Sequence, residues 1–193
     1  MPLQKLAIFL TLSFLCFGCK IRISKVRAQQ TSAVNPAPFL NTPLKAALEE
    51  VNTLKVKIER DGGIHPKEYS EDITDLENIV DKAYGDPKTL KAVKSVLEGH
   101  QLSLQFVQCD PISGYDELHQ CRDKVLKKVF VKYPEFAAAV EAAVEGENLP
   151  YISAGLDRDA VLQAIWQEIG EDTDAVVVAV NPVANPNASL PQE

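Results

Sequence analysis

Between Thr42 and Gly99 the apolar residues recur at intervals of three and four, and each run opens on a capping residue and closes on glycine. In the first run Thr42 is a good N-cap and Pro43 takes the first helical position. Leu44, Leu48, Val51, Leu54 and Ile58 then form one stripe, which predicts a helix to about Arg60, stopped by Gly62 and Gly63. Ser70 would cap a second helix, with Glu71 and Asp72 at its positive end. Its core face would be Ile73, Leu76, Val80 and Ala83, and Gly85 would stop it. Asp86 and Pro87 would open a third, with Leu90, Val93 and Leu97 in its stripe up to Gly99. Three short amphipathic helices on tight connections are not stable singly, so they must bury their stripes against one another.

The pattern then changes. Leu102, Leu104 and Phe106 alternate with Ser103 and Gln105, and this period of two predicts a half-buried strand ending near Cys109. Helical spacing returns from about Tyr115 to Val131, with Leu118, Cys121, Val125 and Val129 on one face. Pro134 restarts a short helix through Phe136, Val140 and Val144 to Gly146. Asp157 would cap a last helix carrying Val161, Ile165 and Ile169 and ending at Gly170, after which Ala175 to Val180 (AVVVAV) has the look of a fully buried strand. The expected fold class is therefore α+β: about six amphipathic helices packed on a small β-sheet that includes 101–108 and 174–180, with an all-α bundle as the alternative. The segments ending at Gly99, Gly146 and Gly170 echo one another, but their unequal spacing marks a shared way of stopping helices rather than a repeat.

Ahead of this region, Leu6 to Cys19 is an apolar run behind Lys5, the length of a signal-peptide core and short of a bilayer span. Residues 1–28 are expected to be a signal peptide or N-terminal anchor, with a small-residue cleavage site at Val26-Arg27-Ala28. Lys20, Arg22, Lys25 and Arg27 oppose translocation past that core, which keeps open an uncleaved anchor held by residues 6–19, or acylation of Cys19. Residues 29–41 read as a flexible linker, 42–180 as a single globular domain and 181–193 as a disordered tail. Asn187-Ala188-Ser189 in that tail fits the glycosylation acceptor pattern, relevant only on a eukaryotic secretory route. Five of the 20 Lys and Arg and none of the 27 Asp and Glu lie in the first 28 residues, so the remainder has 15 bases against 27 acids, a net of −12. Such a field disfavours nucleic acid as a partner and leaves membrane association to the N-terminal segment.

Cys109 and Cys121 are the only cysteines outside the targeting segment, and an exported domain with two predicts a disulfide between them. Pro111 and Ser113-Gly114 let the chain double back between the sulfurs, and closing such a loop is worth about 3 kcal/mol. Two other roles are conceivable for this pair: small buried hydrophobes, or zinc ligands together with His119 and His100. A Cys109–His119 dyad would need a free thiol. Residues 57–69 look like the second half of an EF-hand loop, with Asp61, Gly62, Ile64 and Glu68 at ligand-loop positions. Lys57 stands where the first carboxylate belongs, and Pro66 breaks the exit helix, so a Gly-Gly helix stop explains the segment more simply. His65 and Glu68 have a helical spacing that Gly63 and Pro66 oppose. The sequence carries no G-x-S-x-G elbow and no phosphate-binding glycine loop. No catalytic, cofactor-binding or metal residue is assigned, and no cofactor is expected. Trp166, the sole tryptophan, is expected at the edge of the core.

The leading functional expectation is an exported, disulfide-stabilised, non-catalytic interaction or ligand-binding domain whose partner is a protein or small ligand outside the cytoplasm, in the periplasm, a lumen or the medium. The alternative is a small secreted or periplasmic hydrolase with a site assembled from dispersed His and acidic residues.

Overall fold

The structure is a computed structural model and describes residues 42–180; the targeting segment, the linker, the 181–193 tail and Asn187 lie outside the described residues. Six α-helices run in chain order: α1 Thr42–Asp61, α2 Pro66–Lys82, α3 Pro87–Val107, α4 Tyr115–Lys132, α5 Pro134–Ala143 and α6 Arg158–Val180, with a 3-10 turn at Ile152–Gly155. No strand occurs among the described residues, so the fold is all-helical and the expected α+β class is corrected. One hydrophobic core runs through all six helices. Helix α3 is its centre, packing against α1, α2, α4 and α6, while α6 returns across α1 and α3.

Helix α1 follows its stripe: Leu44, Leu48, Val51, Leu54 and Ile58 are all buried, joined by Ala47. Its end is a Schellman-type stop. Gly62 takes φ +66°, and the Gly63 N–H reaches back to the Ile58 carbonyl at 3.0 Å.

Helix α2 starts four residues before Ser70. His65 is the cap, its Nδ1 accepting from the Lys67 N–H at 3.3 Å, and Pro66 is the first helical residue. A proline at this position loses no helical hydrogen bond and presets φ, so it opens the helix instead of blocking it. The stripe lengthens to Tyr69, Ile73, Leu76 and Val80 at spacings of 4, 3 and 4, all buried. Asp86 caps α3 as expected, its carboxylate accepting from the Thr89 N–H and hydroxyl, both at 2.7 Å.

Two glycines expected to stop helices lie inside them. At Gly99 in α3 an added Cβ would come within 2.5 Å of Tyr133 Oη and 2.8 Å of Ile169 Cγ1. The residue is there because three elements meet at that point, and the helix passes through to Val107. Its continuation buries Leu102, Ser103, Phe106 and Val107, so the apparent alternation is a helical face in which Leu102 and Phe106 stand four apart, with Leu104 only partly covered. Gly170 is likewise internal to α6. Beyond it Thr173 and Val176 are buried while Ala175, Val178 and Ala179 are exposed, which is a one-sided helical face and not a strand covered on both sides. The Thr173 hydroxyl donates to the Ile169 carbonyl at 2.8 Å, and packing on α1 and α3 outweighs the β preference of the valines.

Helix α4 matches its expected span within one residue, while α5 ends at Ala143 with Val144 as its cap, short of the expected stop at Gly146. The most buried face of α4 is turned by one position, to His119, Val125, Leu126 and Val129, with Leu118 and Cys121 at its margin. Asp157 caps α6 by accepting from the Ala160 N–H at 2.8 Å.

Candidate functional site

The disulfide is present. Cys109, in the turn after α3, bonds Cys121 in the second turn of α4, with Cα atoms 5.8 Å apart. The bonded sulfurs are unavailable as zinc ligands or as a nucleophile, which removes both of those readings of Cys109. Beside the bridge Asp110 accepts from Arg122 at 2.8 Å and from Arg158 Nη2 at 2.5 Å, joining the loop to α4 and to the start of α6. The Arg122 guanidinium also lies over the Phe106 ring, 5.6 Å from its centre.

The EF-hand-like segment is committed to helix packing. Lys57 on α1 pairs with Glu68 at 2.7 Å and Asp72 at 2.6 Å on α2, and Asp61 pairs with Arg60. The residue that would have been the bidentate calcium ligand therefore clamps two helices together. Among the described residues no group of three or more His, Cys, Asp or Glu is placed to hold a metal ion. His65 is an N-cap and does not share a site with Glu68.

The two remaining histidines occupy separate buried groups. His119 on α4 bonds Ser153 of the 3-10 turn, Nδ1 to Oγ at 2.9 Å. Asp123 does not complete a triad; its two oxygens accept from the Ile152 and Ser153 N–H groups at 3.1 and 2.9 Å. With Ser153 only 4% exposed, the arrangement fastens the turn to α4. Tyr151 stacks on the His119 ring and Tyr115 meets it edge-on.

His100 on α3 belongs to a chain of three rings. The Trp166 Nε1–H on α6 donates to Tyr69 Oη on α2 at 3.2 Å, and Tyr69 Oη lies 2.9 Å from His100 Nδ1. The phenol is farther, 3.4 Å, from the His100 carbonyl. When the phenol donates to Nδ1, the shorter of its two contacts, the neutral imidazole carries its proton on Nε2. That Nε2 has no hydrogen-bond partner. Burial alone pulls His100 down from the ordinary histidine range to about 3, and burial pushes the Tyr69 phenol well above its own. Both rings are neutral at physiological pH.

A cleft of about 630 Å³ opens between α1 and α6, a size typical of small-molecule sites. Ile58, Trp166 and Ile169 supply its apolar wall, and His100 is the only residue of α3 that borders it. Charge at the rim is uneven among the described residues: Glu59, Glu171 and Asp174 against one cation, Lys55. Lys55 bridges the cleft, 2.6 Å from Asp174 and 3.4 Å from Glu59. Burial pulls its ammonium down, but the two carboxylates more than offset this and the net shift is upward. Gln163 donates to the Gly62 carbonyl at 2.8 Å, and an added Cβ at Gly63 would meet the Trp166 ring at 3.1 Å, so the Gly-Gly stop is fitted to the indole at the end of the cleft.

Trp166 was expected at the core edge and is found buried there, 8% exposed. Tyr69, the hub of the chain, was missed because the helix start had been placed after it. The available signal was Pro66 at a first helical position with Tyr69 one turn ahead of Ile73. The sequence offers His100 as a zinc ligand or as part of a dispersed His and acid site, and nothing in it shows that one of its nitrogens would be left unpaired. His119 does not border the cleft, so the dispersed histidines are not gathered there. Comparison of the chain with protein families, with curated proteins and with solved structures finds no match in any of the three.

Proposed function

We propose that this chain is an exported, disulfide-stabilised, non-catalytic ligand-binding domain, with the cleft between α1 and α6 as its binding site. The observation that carries the reading is the fully buried His100 bordering that cleft with one ring nitrogen unpartnered. A buried polar group without a partner costs about 1–3 kcal/mol, and a binding site is a setting in which a ligand atom recovers that cost. Export is supported by the apolar N-terminal run and is compatible with the Cys109–Cys121 bridge. The hydrolase reading draws less support, because the one Ser–His contact is buried and Asp123 is held by backbone N–H groups. Titration of the oxidised full-length protein with a library of small polar organic molecules, read by Trp166 fluorescence, tests the site. Saturable quenching or enhancement is expected, and a flat response across the library contradicts the reading. Intact mass from the native host, with and without reduction before thiol alkylation, tests export. A chain beginning near Gln29 whose two thiols appear only after reduction is expected, and a full-length chain with free thiols contradicts it.

A further inference from the structure

The cleft offers three kinds of contact in fixed order, and together they describe a ligand. His100, buried where it borders the cleft, has a ring nitrogen with no partner, and that Nε2, protonated when Tyr69 donates to Nδ1, calls for an acceptor such as a carbonyl oxygen. The wall of Ile58, Trp166 and Ile169 calls for an apolar or aromatic body. At the rim three carboxylates outnumber one ammonium, and Lys55 already holds two of them, so the residual field attracts a cation. Resting on the ligand-binding reading above, we propose that the cleft takes a small cationic amide. Its carbonyl oxygen accepts from His100 Nε2–H, its side chain covers Trp166, and its ammonium group lies against the rim near Glu171. The ring is wholly buried in this structure, so seating the carbonyl requires the wall between α1 and α6 to part. The clasp across it is the Lys55–Asp174 ion pair, whose carboxylate is 59% exposed, and such a pair is weak enough to open.

The test uses the oxidised full-length protein and four probes read by the single tryptophan: phenylalaninamide, 2-phenylethylamine, N-acetylphenylalaninamide and phenylalanine. Phenylalaninamide is expected to bind tightest. Removing the carbonyl, as in 2-phenylethylamine, is expected to weaken binding about tenfold by leaving the imidazole N–H unpaired. Capping the ammonium is expected to weaken it about threefold, and phenylalanine should suffer from its carboxylate at an acidic rim. Glu171→Gln, a change at an exposed position, should weaken phenylalaninamide about threefold and leave the capped amide unchanged. Equal affinities for all four, or tighter binding of the capped amide or of phenylalanine, overturns the cationic-amide assignment while leaving the cleft as a binding site. No response to any probe up to its solubility limit, or amide-resonance changes remote from Lys55, Gln163 and Trp166, overturns both.

Discussion

His100 and His119 are both buried on central helices, and both share a hydrogen bond with a hydroxyl, yet their surroundings differ in one respect that matters. His119 and Ser153 sit where α4, the 3-10 turn and the aromatic rings of Tyr115 and Tyr151 close round them, with Asp123 satisfying the turn's N–H groups and the disulfide a few residues away. His100 has a hydrogen bond at Nδ1 only, to Tyr69, its Nε2 is buried without a partner, and the residue borders a cleft. The first arrangement is what a staple needs. The second leaves unspent hydrogen-bonding capacity, and that capacity separates a structural histidine from one able to meet a ligand.

The comparison can be broken at the staple first. Reducing the Cys109–Cys121 bridge, or replacing both cysteines by serine, should cost about 3 kcal/mol in urea unfolding, while leaving any cleft ligand's affinity for the folded chain unchanged. A parallel loss of affinity would show that the two regions are not independent.

Acid tests His100 next. The folded chain keeps His100 neutral down to about pH 3, whereas the unfolded chain takes up a proton near the ordinary value of 6.5. The unfolded state thus binds more protons between those limits, so this contribution to stability is complete above pH 6.5 and is lost as pH falls toward 3. The slope is about 1.4 kcal/mol per pH unit at most, and about 2 kcal/mol should disappear between pH 6.5 and 4.5. Urea midpoints across that range should fall less steeply in His100→Gln than in the wild type; identical slopes would mean that the imidazole is not kept neutral.

Three smaller substitutions sharpen the picture of how the helices are packed. Gly99→Ala should cost about 2 kcal/mol, since its Cβ would collide with Tyr133 and Ile169, whereas Gly170→Ala meets only ordinary contacts with Lys55 and Glu59 and should stabilise α6 by about 0.5–1 kcal/mol. Thermal unfolding of the pair measures the difference directly. Ser153→Ala, which leaves His119 Nδ1 without its hydroxyl partner, should cost about 1 kcal/mol in the same assay and leave Trp166 fluorescence unaltered.

Those two glycines also explain what was legible in the sequence. Where helix boundaries are written in local chemistry, as at Asp86-Pro87, Gly62-Gly63 and Asp157, spacing and caps locate them. Gly99 and Gly170 carry the same letter for a different reason: each lies inside a helix packed against its neighbours, and at Gly99 the surrounding side chains leave no room for a Cβ. That is tertiary information, and reading these residues as stops turned the second halves of α3 and α6 into strands. The Cys109–Cys121 bridge was legible because the pair stood alone in the body of the chain. The Trp166–Tyr69–His100 chain was not, because it joins three helices across 97 residues of sequence and depends on which ring nitrogen is left over.

The unpartnered N–H of His100 is tested most directly by nitrogen-15 correlation spectra of the histidine rings in the oxidised protein at neutral pH. The geometry predicts a neutral His100 with its proton on Nε2 and Nδ1 acting as acceptor, and a change in the Nε2 resonance when phenylalaninamide is added. A proton on Nδ1, or a doubly protonated ring, would contradict it, and with it the assignment of the cleft's donor.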